Sequence, residues 1–145
     1  MVFRRMTAAD LDRVAQMEKE TFSTPWSKAS FQESLEKTYS YFFVAEEDEI
    51  VGYCGIHNFG GDGEITNVAV DKAWRGKQVA FSMLEFAMEE TKKEGIEAFT
   101  LEVRATNMPA IKLYEKLGFT KEGIRKNFYE NPKEDAIIMW KNQPT

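Results

Sequence analysis

The stretch from Asn67 to Glu90 constrains the fold more than any other. It begins Asn67-Val68-Ala69-Val70, a short apolar run that predicts a buried strand. It ends with Val79, Met83, Phe86 and Ala87 at helical spacing, which predicts an amphipathic helix reaching to Glu90 and beyond. Between them stand Arg75, Gly76 and Lys77, which place two cations in the first helical turn. A helix start is already positive, because its first N–H groups have no partner inside the helix. Adding cations there makes an anion the natural guest. Strand, basic turn and helix together predict a phosphate site at the helix N-terminus. A solvated basic turn is the alternative, and spacing alone leaves both open.

The remaining elements follow from periodicity and punctuation. Val2 to Met6 predicts a strand. Thr7 with Asp10 three residues on predicts a capped helix over Ala8 to Glu20. Pro25 breaks that helix, and Ser27 caps a second short one carrying Phe31 and Leu35. Tyr39–Glu46 and Ile50–Phe59 are rich in aromatic and β-branched residues and predict a hairpin turning at 47–49. Gly60-Gly61-Asp62-Gly63 is a loop, and Glu64 to Val70 is the next strand. Ala98 to Arg104 alternates cleanly: Phe99, Leu101 and Val103 face one side, while Thr100, Glu102 and Arg104 face the other. Asn107 and Pro109 open a short helix that ends at Gly118. Ile124–Tyr129 and Asp135–Trp140 close the chain as strands. No repeat or interdomain linker interrupts the 145 residues. The expectation is one α/β domain over residues 1–145, with a mixed sheet covered by helices on both faces.

Charge and composition exclude several function classes. A net charge of −5 argues against broad nucleic-acid binding, which depends on neutralising phosphates, and suits a cationic partner. No apolar run approaches the roughly 20 residues that span a bilayer, and Met1 to Asp10 lacks the apolar core of an export signal. With Cys54 as the only cysteine and His57 as the only histidine, no thiol–imidazole metal cluster can form, and the expected compartment is the cytoplasm. Cys54 reads as a small buried hydrophobe and His57 as structural or solvated.

Two motifs resemble those of the GNAT acetyltransferases. Arg75-Gly76-Lys77-Gln78-Val79-Ala80 resembles that family's pyrophosphate loop, with Gln78 standing where the motif has glycine and Ala80 at its second small position. Asn107 through Phe119, reading NMPAIKLYEKLGF, resembles the second signature of the family. Phe22, Pro25-Trp26, the run LEVRATN, the run Ile124 to Tyr129 and the run Glu134 to Met139 resemble the bacterial ribosomal-protein-alanine N-acetyltransferase subfamily. The resemblance implies the GNAT fold, with a mostly antiparallel mixed sheet. It also implies acetyl-CoA as co-substrate, no metal, and a protein N-terminus as acceptor, that of a small-subunit ribosomal protein. Small amines such as polyamines or aminoglycosides, or a non-catalytic CoA-binding role, are the alternatives. No membrane or direct nucleic-acid partner is expected, and the chain reads as a monomer or weak dimer. The resemblance assigns Glu102 as general base and Tyr114 as general acid. Acetyl-CoA contacts fall on Val68, Ala69, Val70, Arg75, Gly76, Lys77, Gln78, Val79, Ala80, Phe81 and Asn107. Acceptor contacts fall on Phe22, Trp26, Arg125, Tyr129 and Asp135.

The residue types suit that chemistry. An α-amine titrates near 7.7–8.0 and a lysine near 10.4, a gap of about 2.5 units or about 3.4 kcal/mol. An N-terminal amine therefore needs only modest help from a carboxylate such as Glu102 to lose its proton. A phenol such as Tyr114 can supply a proton to the departing thiolate. Gln78 leaves two requirements open at the motif's glycine position. Glycine there serves either a positive φ or the close approach of a phosphate.

Overall fold

The computed structural model describes residues 1–144. In chain order the elements are β1 (Val2–Arg5), a 3-10 turn (Ala8–Asp10), α1 (Leu11–Thr21), α2 (Lys28–Leu35), β2 (Ser40–Glu47), β3 (Glu49–Phe59), β4 (Asp62–Val70), a second 3-10 turn (Lys72–Trp74), α3 (Val79–Lys92), β5 (Ala98–Arg104), α4 (Met108–Lys116), β6 (Thr120–Tyr129) and β7 (Glu134–Lys141). The first expected helix is thus split, a 3-10 turn leading into α1. The Thr7 N–H donates to Asp10 Oδ2 at 2.8 Å, and the Arg4 guanidinium grips both oxygens of the same carboxylate at 2.9 Å each. Burial raises the Asp10 pKa, but the Arg4 and Thr7 hydrogen bonds outweigh it and hold the carboxyl below its ordinary value. That contact ties the start of the helical layer to β1.

The seven strands form one sheet in the order β1-β2-β3-β4-β5-β7-β6. Every neighbouring pair is antiparallel except β4 and β5. A parallel pair needs a crossover, and α3 supplies it. Two cores cover the two faces. On one, α3 and α4 bury Val79, Met83, Leu84, Ala87, Ile111 and Leu117 against Phe43, Cys54, Ile56, Phe99 and Leu101. On the other, α1 and α2 bury Leu11, Val14, Met17 and Phe31 against Phe42, Val44 and Tyr53. Each fully buried Leu or Phe of this kind contributes about 1.5–3 kcal/mol of transfer free energy. Cys54 is the buried hydrophobe its surroundings predict, and burial lifts its thiol to about 12.

Glu18 on α1 is a buried carboxylate that periodicity did not single out. It accepts the Tyr53 hydroxyl at 2.7 Å and the Trp26 N–H at 3.0 Å. A buried acid is tolerated only with such partners. Its place is to pin the segment between α1 and α2 onto the sheet. Trp26 thereby packs on Phe31, Phe42 and His57, with ring centroids 5.2, 6.0 and 6.3 Å apart.

Candidate active site

The site begins where β4 and β5 part. Their ladder covers only Asp62–Ala98, Gly63–Phe99 and Glu64–Thr100. Beyond it β4 runs on to Val70 and β5 to Arg104 without pairing to each other. The cause lies on the other edge of β4. There Ile65 faces Ile56 and Asn67 faces Gly55, so Thr66 is an extra residue, a β-bulge. A bulge bends its strand and sharpens the twist. In an antiparallel strand every second residue turns its N–H and C=O to the far neighbour. Past Thr66 those groups open onto a gap instead of β5.

The bulge also exchanges the faces of β4. Before it, Ile65 packs with the α3–α4 core; after it, Val68 and Val70 pack there, and Ala69 joins the α1–α2 core. Glu64 and Asn67 therefore both face the α1–α2 side. On β5, Leu101 and Val103 lie in the α3–α4 core, which turns Thr100, Glu102 and Arg104 to that side as well.

Among the described residues, four buried polar atoms lack a hydrogen-bond partner: Ser40 Oγ, His57 Nε2, Asn67 Oδ1 and Glu102 Oε2. All four belong to residues on the α1–α2 face. Native interiors satisfy nearly all such atoms, so four on one face mark a surface built to receive polar groups. His57 is half-buried, and burial lowers its pKa, favouring the neutral imidazole.

Glu102 is partly buried, and Arg125 Nε lies 3.3 Å from its Oε2. Burial raises its pKa, Arg125 opposes that, and Glu64 adds to it; the net shift is upward. Tyr114 on α4 is buried beside Phe119, at 5.9 Å between centroids. Burial pushes its phenol well above the ordinary value, and Tyr129 and Cys54 push it further. Tyr114 belongs to the α3–α4 core, whereas Glu102 lies on the α1–α2 side of the sheet. A phenol that stays protonated serves as donor, and a carboxylate with a raised pKa serves as acceptor of a proton.

The helix N-terminus expected for phosphate lies beyond the end of β4. α3 starts at Val79, and its first bond runs from the Ser82 N–H to Gln78 O at 3.1 Å. The N–H groups of Val79, Ala80 and Phe81 are thus the unpartnered first turn. Arg75 and Lys77 precede the helix and do not sit in its first turn. Arg75 Nε donates to Val70 O at 3.2 Å, and Lys77 Nζ stands 5.2 Å from the Trp74 ring centre. Gly76 has φ +78, with open space where a side chain would be. Gln78 has φ 61 and ψ 23 and makes no side-chain cap, so its position demands left-handed backbone. That conformation costs a non-glycine residue about 1–2 kcal/mol. Gln78→Gly is expected to raise thermal stability by about 1 kcal/mol and to leave acetyl-CoA affinity unchanged or tighter. Differential scanning and titration calorimetry would read the two effects separately. Asn107 Oδ1 accepts the Ala110 N–H at 3.3 Å as the cap of α4, leaving its amide hydrogens for a ligand.

The acceptor residues expected from sequence fall in two places. Arg125, Tyr129 and Asp135 cluster at the β6–β7 end. Arg104 stacks 4.5 Å over the Tyr129 ring, and Asp135 Oδ1 accepts the Asn127 N–H at 2.8 Å. Burial, with Glu102 adding, lifts the Tyr129 phenol to about 12. Trp26 sits on the α1–α2 side beside His57. Phe22 stands exposed at the end of α1, outside that ring cluster. No group of acidic, histidine or cysteine side chains among the described residues could hold a metal, and no helix among them is long and apolar enough to cross a membrane.

The acetyltransferase (GNAT) family profile matches residues 11–119. A Bacillus subtilis (strain 168) protein, provisionally named a ribosomal protein bS18-alanine N-acetyltransferase, is 41% identical over 139 residues, 94% of this chain and 92% of the relative. The ribosomal protein bS18-alanine N-acetyltransferase of Escherichia coli (strain K12) is 31% identical over 92% of each chain. The crystal structure of the Escherichia coli ribosomal-protein-S18-alanine N-acetyltransferase superposes with a TM-score of 0.87 at 29% identity, covering 97% of this chain and 92% of that one. Matched sequence along most of the chain and a shared fold agree: this protein belongs to the GNAT family of acetyltransferases.

Proposed function

We propose that this chain, as one domain, moves the acetyl group of acetyl-CoA to the α-amine of a protein N-terminus, the N-terminal alanine of a small-subunit ribosomal protein. The observation that carries the reading is Glu102: a carboxylate with a raised pKa whose Oε2 lies 3.3 Å from Arg125 Nε without a hydrogen bond, on the open side of the gap between β4 and β5.

The co-substrate fits the residues present. The free N–H groups of Val79, Ala80 and Phe81, with Gly76 leaving room, suit a pyrophosphate. The open edge of β4 at Val68 to Val70 suits an amide-bearing arm, which pairs like a strand. Asn107 adds donors at the start of α4. An amine arriving on the α1–α2 side meets Glu102, which takes its proton directly or through a water as nitrogen bonds the thioester carbon. Backbone N–H groups of the β4 edge stabilise the carbonyl oxygen as charge develops. The thiolate leaves on the α3–α4 side. Because burial holds the Tyr114 phenol far above a thiol's pKa of about 8.5, its part is a hydrogen bond to the thiolate, ahead of complete proton transfer.

Thiol release from acetyl-CoA tests this with three acceptors: an alanine-starting basic peptide, the same peptide blocked at its N-terminus, and spermidine. Turnover of the free peptide alone is the expected result. Turnover of spermidine in its place would move the chain to small-amine substrates. Binding of acetyl-CoA with no turnover of any acceptor would overturn the catalytic reading for them.

A further inference from the structure

The acceptor face carries a second carboxylate. Glu64 is the last residue of β4 paired to β5 before the strands part, facing Thr100. On its other edge it pairs with His57 of β3. Thr100 and Glu102 share a face of β5, so Glu64 and Glu102 are diagonal neighbours. A strand spacing of about 4.8 Å and a rise of about 3.3 Å per residue put their Cβ positions about 8 Å apart. Two carboxylates at that separation can converge on one cation held between them.

The charge balance says what Glu64 adds. Glu102 lies beside Arg125, 3.3 Å away, so that pair is close to neutral. Arg104 pairs with Glu134 at 3.2 Å and cancels it. Tyr129 stays protonated at neutral pH. His57, which flanks Glu64 on β3, is kept neutral by burial and does not neutralise it. Glu64 thus supplies the uncompensated negative charge beside Glu102. An α-ammonium carries one positive charge.

We propose that Glu64 is a specificity-determining residue of the acceptor site: it binds the incoming α-ammonium and holds it beside Glu102. It does not take the proton. Its place at the point where β4 and β5 part sets the cation at the mouth of the gap. The inference rests on the acceptor being an amine, as proposed above. An anionic acceptor would be repelled by this corner, and a neutral one would gain no charge attraction from it.

The test is Glu64→Gln, with Glu64→Asp as the variant that keeps the charge, assayed with the alanine-starting basic peptide. Glu64→Gln is expected to raise KM for the peptide roughly tenfold, while kcat at saturation and KM for acetyl-CoA stay within about twofold. Removing the neighbouring negative charge favours the Glu102 carboxylate, so the acid limb of kcat/KM moves down by roughly half a pH unit. Glu64→Asp recovers most of the peptide KM. A role in holding the strands alone would change thermal stability and spare both the peptide KM and the limb; that result overturns the inference. Failure of the wild-type enzyme to use the free peptide, with acetyl-CoA still bound, overturns the amine reading and this inference with it. Wild-type turnover with an unmoved Glu64→Gln variant overturns this inference alone.

Discussion

Replacing Glu102 with glutamine is expected to lower kcat/KM for an N-terminal peptide by about 10²- to 10⁴-fold, the range spanned by general-base contributions. The substitution keeps the volume of the side chain and removes its capacity to take a proton. The pH profile separates loss of a base from loss of shape. On the proposed mechanism activity follows the Glu102 carboxylate, whose pKa is raised first by burial, lowered by Arg125, and raised again by Glu64. Its acid limb therefore lies above the ordinary glutamate value and disappears in the variant. What remains is the limb of the acceptor amine itself. At alkaline pH the amine has already lost its proton, so the deficit narrows there. Steady-state rates across pH, with acetyl-CoA affinity measured alongside, check this. A deficit that stayed constant from pH 6 to pH 9 would remove Glu102 from proton transfer.

Gly55→Ala is expected to destabilise the chain by about 3 kcal/mol, at the upper end of the usual cost of overpacking. Gly55 lies on β3 opposite Asn67, next to the bulge. A Cβ there would collide with the Phe42 ring, lying against Cε1, 2.7 Å from Cζ and 2.8 Å from Cδ1. Phe42 cannot yield easily. It is fully buried, with the Phe31 and Trp26 rings each at 6.0 Å and His57 also at 6.0 Å. For a domain of this size the cost lowers the melting temperature by about 10 °C. Phe42→Leu in the same chain makes room, so the double variant should melt higher than the sum of the single losses implies. Additive losses would show that the ring is not what Gly55 accommodates.

The parts of the fold that were legible in the sequence are those with uninterrupted periodicity. β5 runs from Ala98 to Arg104 as expected, because its alternation of apolar and polar residues has no break. The helix of the opening stretch likewise runs past Glu90, ending at Lys92. The bulge at Thr66 was less legible. Glu64-Ile65-Thr66-Asn67-Val68 slips phase at the polar pair Thr66-Asn67, a signal the strand reading passed over, and pairing to β3 identifies Thr66 as the extra residue. Glu18 was hidden, since its partners Tyr53 and Trp26 are distant in sequence from a helix whose spacing shows only an apolar stripe. At Gln78 two requirements stood open, and its φ of 61 establishes the conformational one. Motif resemblance singles out Glu102 and Tyr114; that they lie on opposite sides of the sheet is a property of the fold, invisible in either motif. Glu64 looked like an ordinary first residue of a strand until its neighbours on β3 and β5 were in place.

The single extra residue in β4 acts on the pattern of side chains as a frameshift acts on a reading frame. Upstream of Thr66, even-numbered residues belong to the acceptor side; downstream, odd-numbered ones do. One strand thus presents a polar wall on one side and an apolar bed on the other, across the bend the bulge puts in it. Were Thr66 paired as a regular residue, the original phase would run on, turning Val68 and Val70 toward the α1–α2 side and Asn67 and Ala69 toward α3. Deleting Thr66 would instead leave each of these side chains on its present face and remove only the bend.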